Sequence, residues 1–89
     1  MAFHRCTVLA ADGTVVCDGV NVSLEQTEHE GARTWHGTIT ATRLTALVAG
    51  QPYVILLDNG CRGPFVVRRN TQAGGPDRAV AIHGTGPLV

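Results

Sequence analysis

Val20, Val22 and Leu24 alternate with Asn21, Ser23 and Glu25, which is the period of a strand with one face in a core and the other in water. The same period returns after a polar stretch, where Trp35, Gly37, Ile39 and Ala41 alternate with His36, Thr38 and Thr40. The stretch between them, Glu28 to Arg33, reads as a loop tip, so the two runs form a hairpin. A three-residue loop there would set Glu28 opposite His36, and a two-residue loop would shift that register. Earlier, residues 3–10 alternate loosely, Asp12-Gly13 supplies a tight turn, and Thr14 to Cys17 resumes extended character. Asp18-Gly19 then interrupts the chain before the run at Val20.

Over Thr42 to Gly50 the period changes. Leu44, Leu47 and Val48 stand three and four apart, a Thr at 40 or 42 can cap, and Gly50 can terminate, so one short helix is expected at residues 42–49. About two turns long, it could persist only by plugging its leucines into a sheet or barrel end. Tyr53 to Leu57 is continuously apolar, which predicts a strand covered on both faces. Asn59-Gly60 then predicts a type I′ hairpin into residues 61–69. Pro64 lacks a ladder donor and is expected at an edge, bulge or bend. Residues 70–77 read as the least structured stretch, and residues 78–83 as a last strand with Val80 and Ile82 inward.

These elements predict a mainly β single domain over residues 1–89, a small antiparallel barrel or β-roll of about six to seven strands with one short helix, in which closure hides the sheet edges. A twisted open sheet crossed by the helix is the alternative. Composition agrees: eleven glycines and four prolines punctuate short runs rich in Val, Thr and Ile. The four aromatics, Phe3, Trp35, Tyr53 and Phe65, are all expected inside.

Charge adds one asymmetry. The formal net charge is zero, and all seven basic residues are Arg, a bias that a high-GC genome also produces. Residues 60–89 carry Arg62, Arg68, Arg69 and Arg78 against Asp77 alone. Those four arginines are the candidate ligand-binding residues, as guanidinium forks for a phosphate or carboxylate. Net neutrality and the lack of exposed aromatic platforms argue against nucleic acid, although small barrels do bind it.

The other reactive residues form no recognisable constellation. His4, Cys6 and Cys17 could approach one another, yet no spacing supplies a fourth metal ligand, so no metal or other cofactor is expected. A Cys6–Cys17 disulfide is geometrically conceivable, but an odd cysteine count without framework spacing suits a reducing compartment. Ser23, the sole serine, lies on a polar strand face, and Cys61 beside Arg62 has no histidine placed near it by spacing. Gly84-x-Gly86-Pro87 is followed by no helix and so is not a phosphate loop. Neither a membrane span nor a signal peptide is visible, and a cytoplasmic location is expected.

The run from Tyr53 to Val67, centred on Leu-Asp-Asn-Gly-Cys-Arg-Gly, and the ending His-Gly-Thr-Gly-Pro-Leu resemble segments of short bacterial β proteins, a resemblance that implies no activity. The reading that follows is a non-catalytic, barrel-like binding or assembly module that self-associates as a homodimer or within a larger protein assembly. A small-anion pocket built on the arginines is the alternative, and a nucleic-acid-binding barrel a further one.

Overall fold

The computed structural model describes residues 2–29, 31–42, 47–74 and 77–89. Six strands, β1 (Ala2–Ala10), β2 (Val15–His29), β3 (Ala32–Thr42), β4 (Pro52–Leu57), β5 (Arg62–Gly74) and β6 (Asp77–Gly84), close into an antiparallel barrel in the order β1-β2-β3-β6-β5-β4. Closure comes from β1 pairing with β4, Cys6 opposite Leu57 through Ala10 opposite Tyr53, so among the described residues no strand is left with an open edge along the barrel.

Alternation decides what fills it. Cys6 and Val8, Val20, Val22 and Leu24, Trp35 and Ile39, Tyr53, Ile55 and Leu57, Phe65 and Val67, and Val80 and Ile82 all point inward and are buried. Three aromatics stack along the interior. Phe65, fully buried, meets Trp35 edge-on at 6.4 Å and Tyr53 at 5.8 Å, geometries that suit the ring quadrupoles. Each end of the barrel is then stoppered. At one end Trp35 donates its indole N–H to the Gly86 carbonyl at 2.7 Å, while residues 85–89 fold back along the start of β5 through paired Arg62–Val89 backbone bonds. The indole lies so close to Gly84 that a Cβ there would come within 2.2 Å of it, so only glycine fits. At the other end Leu47 is buried, the Tyr53 hydroxyl accepts from the Val48 N–H at 3.0 Å, and Asn70 Nδ2 donates to the Leu47 carbonyl.

Several sequence expectations change in physical detail. Asp18-Gly19 does not break the chain: it is a bulge inside one long β2, with Gly19 at φ +65° and Arg5 Nη2 donating to its carbonyl at 2.7 Å, which is why the described residues form six strands and not seven. The helix expected at 42–49 falls mostly on residues 43–46, outside the described residues. Its flanks are not helical, Thr42 ending β3 and Leu47 to Gly50 being irregular chain and turn, although Leu47 does fill a barrel end as that reading required. Residues 70–74 continue β5, because β6 offers them a ladder that polar composition alone does not reveal.

The turn at Asn59-Gly60 is a three-residue loop. Gly60 N–H donates to the Leu57 carbonyl at 3.0 Å, Gly60 takes φ +91°, and Leu57 N–H reaches the Cys61 carbonyl at 2.8 Å. The Asp12-Gly13 turn repeats this pattern, and Asp12 and Asn59 each accept the N–H two residues on. β2 and β3 pair as far as His29 opposite Ala32, so Glu28 faces Arg33 and Glu25 faces His36. Pro64 is neither at the bulge of β5 nor outside the ladder: it pairs with Val54 inside the strand. Its carbonyl accepts from Thr85 just past the end of β6, and its nitrogen, on the same side of the strand, therefore points where no ladder partner is required. Phe3 is 78% exposed on the outer face, because β1 pairs it with outward Ser23.

Candidate anion-binding groove

The outer surface divides into two walls, and the sequence-predicted arginines fall differently on them. In β5, Val67 pairs with Ile82 and Arg69 with Ala81, so Arg68 and Arg69 together oppose one residue of β6. This bulge cancels one step of alternation, and both guanidinium stems emerge on the outer face. Neither makes a hydrogen bond or ion pair among the described residues. Across the sheet the same level continues through Ala81, Thr38 and Ser23, and the next level through His83, His36 and Glu25. Gly37, Ala81 and the edge of Ile82 give a low floor between these side chains. The result is an open groove of about 690 Å³ lined on one side by Arg68 and Arg69 and on the other by Ser23, Glu25, His36 and Thr38, with His83 between.

Arg62 and Arg78 are not brought to it. Arg62 shares the outer face of β5 but lies six residues along the strand from Arg68, a separation of about 20 Å at strand rise. Arg78 has the parity of buried Val80 and Ile82 and is half-buried beyond the inner layer. The four-arginine site therefore contracts to two, and sequence reasoning missed His36, His83 and Thr38. Their outward alternation was legible; that β6 lies between β3 and β5 was not, and that order is what sets His83 between His36 and the arginines.

The groove offers donors and no assembled nucleophile. Glu25 Oε2 is 3.1 Å from His36 Nε2, which orients that imidazole, but no hydrogen bond joins Ser23 to His36 among the described residues. All three cysteines are free, so the Cys6–Cys17 bridge is not formed. Cys17 instead sits opposite Val8, and burial pushes the Cys6 thiol up to about 12 and raises that of Cys17. Such thiols are poor nucleophiles at neutral pH. His4 turns away from them to Asp58, 3.1 Å from its Oδ1, and this hydrogen bond, with one from the Arg5 N–H, lowers the carboxyl of Asp58. Among the described residues no group of three His, Cys, Asp or Glu side chains could hold a metal ion, and no helix is long and apolar enough to cross a membrane. Comparison with known proteins finds no family model, no curated protein and no solved structure that matches the chain.

Proposed function

We propose that this chain is a non-catalytic binding module that takes a small oxyanion, a phosphate or carboxylate group, in the groove between β5 and β2–β3. The observation that carries this reading is the β5 bulge, which aims two consecutive arginines, unpartnered among the described residues, at one concave surface. Paired guanidinium forks match the geometry of a tetrahedral or planar oxyanion, and Thr38, Ser23 and His83 supply further donors around it. Two cations suit a small group better than a polyanion, and the wall carries a single exposed aromatic, Phe3, beside Ser23 at its far flank. Base-stacking platforms of the kind that hold single strands are thus missing from the described residues of this wall.

Titration of isotopically labelled protein with inorganic phosphate, and separately with citrate at constant ionic strength, tests the reading. Saturable amide shifts should concentrate at Thr38, Arg68, Arg69, Ala81 and His83. Arg68→Ala and Arg69→Ala should each weaken binding about tenfold, the value of one charge-assisted hydrogen bond, with melting unchanged. Shifts spread equally over Arg62 and Arg78, or none at millimolar anion, would refute it.

A further inference from the structure

Two imidazoles stand in the groove beside the arginine pair. His83 lies on β6, the strand next to β5, two residues along from Ala81 and so on the same outer face; Ala81 is the residue that the arginine pair opposes. Val66, opposite His83 on β5, is apolar, so Arg68 and Arg69 are the nearest charged groups on that side. On its other side His83 stands directly opposite His36 of β3, and His36 stands opposite Glu25 of β2. One row of the groove therefore reads Val66, His83, His36, Glu25. The other nearby charges do not face it. Arg33 and Glu28, 3.9 Å apart, belong to the opposite face of the β2–β3 ribbon. Arg62 is four residues from Val66 along β5, about 13 Å at strand rise.

The two imidazoles share a face but not an environment. His36 Nε2 is 3.1 Å from Glu25 Oε2, so a proton taken up by His36 is met by a carboxylate and changes the field of the groove little. His83 makes no hydrogen bond or ion pair among the described residues and is half-buried between His36 and the arginines. A proton taken up by His83 adds a full positive charge beside two guanidinium groups. In the empty groove Arg68 and Arg69 oppose that third charge; an oxyanion seated among them attracts it.

We infer that His83 is a third, proton-dependent ligand of the anion groove, so that the groove takes up its oxyanion together with a proton. This rests on the anion-binding reading above and adds a control by pH to it. Linkage makes the effect reciprocal: if the proton tightens anion binding by some factor, the bound anion favours the protonated imidazole by the same factor. Histidine is the side chain suited to change charge between pH 5 and 8, so the groove holds an oxyanion more tightly in mildly acidic than in mildly alkaline solution.

Titration of the isotopically labelled full chain with sodium sulfate at pH 8.0 and at pH 5.5, at constant ionic strength, tests this. Sulfate keeps its double charge across that range, whereas a phosphate group takes up a proton within it. The natural chain should bind sulfate about fivefold more tightly at the lower pH, the low end of coupling between two sites. The pH at which the His83 ring signals titrate should rise when sulfate saturates the groove. The ratio of the two affinities is the decisive readout: His83→Gln, neutral throughout, should bring it close to one, while His36→Gln should leave most of it. Equal binding at both pH values, or a gain that His83→Gln retains, would overturn the inference and leave the arginine groove standing. A gain that His36→Gln abolishes as fully as His83→Gln would overturn the assignment of the proton to His83. No saturable binding of sulfate at either pH would overturn the groove reading and the inference together.

Discussion

The two outer walls share strands yet differ in every other respect. The groove wall carries Glu25, His36, Thr38, His83, Arg68 and Arg69 over a floor of glycine and alanine. The opposite wall carries Val15, Leu9, Val54, Leu56, Pro64 and Val66. Both β2 and β5 run through each wall, and each changes wall at a bulge: β2 at Asp18-Gly19 and β5 at Arg68. A bulge bends its strand, so these two sites are where a small barrel turns its corners. It also resets which parity faces water, so the outer face can change character along one strand while the inner face stays apolar. The chemistry of each wall therefore begins at a seam, with the aspartate of one and the arginine pair of the other occupying the bulges themselves.

Because β5 belongs to both walls, the largest effect should come from the side chain beneath them. Phe65→Ala removes the ring between Trp35 and Tyr53 and leaves a cavity no neighbour can fill without breaking strand alternation. The expected loss is about 3–5 kcal/mol, a large share of the stability of a domain this size. Urea unfolding followed by the single Trp35 and by amide exchange on both walls checks it. Equal losses on both sides make the walls one cooperative unit; an effect confined to the groove wall would separate them.

Much of the inner layer was legible in the chain. Val20, Val22, Leu24, Trp35, Ile39, Val80 and Ile82 point inward as alternation requires, because the period of a strand is rigid and one face must be buried. The hairpin at Asp58-Asn59-Gly60 was legible because a residue at positive φ there needs glycine. The bulges were not. Asp18-Gly19 has the composition of a turn, and only the continuing ladder to β1 and β3 makes it part of a strand. Arg68-Arg69 carries no local signal at all, since its bulge is defined by Ala81 on another strand. The candidate site, assembled from four strands, was correspondingly half visible: two of four arginines join it, with partners that only the strand order supplies. Gly84 looked like part of a closing turn, whereas its lack of a side chain makes room for an indole 49 positions earlier in the chain.

A second comparison lies in titration. Cys6, opposite Leu57 beneath the apolar wall, is kept neutral by burial, with Cys17 and Asp58 adding to the effect, and its folded value is about 12. Its ordinary value is 9.0. A raised folded value favours the protonated form on folding, so this contribution is fully present below the unfolded value and is lost as pH rises towards 12. Stability should fall by up to about 1.4 kcal/mol per pH unit above pH 9 from this thiol. Asp58 and Asp12, lowered by the hydrogen bonds they accept, act at the other limb, their contributions fading as pH falls below about 4. Urea midpoints from pH 7 to 11 for the natural chain and Cys6→Ala test the alkaline limb. The variant should start less stable and show a flatter slope; parallel slopes would assign the alkaline loss elsewhere.

The smallest effects concern the turns that close each wall. On the apolar wall, β1–β2 and β4–β5 both end in a three-residue Asx-Gly loop, with Gly13 at φ +92° and Gly60 at φ +91°. A Cβ at either meets nothing within 4 Å, so alanine is penalised by backbone conformation alone, about 1 kcal/mol at each, with asparagine at residue 60 costing less. Gly31, at φ +80°, is equally open, but it closes the arm of β2 and β3 that extends past the barrel. β1 pairs with β2 only as far as Leu24, and β6 meets β3 only from His36, so residues 25–29 and 31–34 depend chiefly on each other. That arm can fray while the barrel stays closed, and a penalty at its tip is then shed locally. Gly31→Ala should therefore leave the urea midpoint almost unchanged while speeding amide exchange at Thr27 and Thr34. Gly13→Ala and Gly60→Ala should lower the midpoint by similar amounts. A Gly31→Ala loss equal to theirs would mean that the arm unfolds only with the barrel, and that the groove wall is as tightly coupled to the core as the wall across from it.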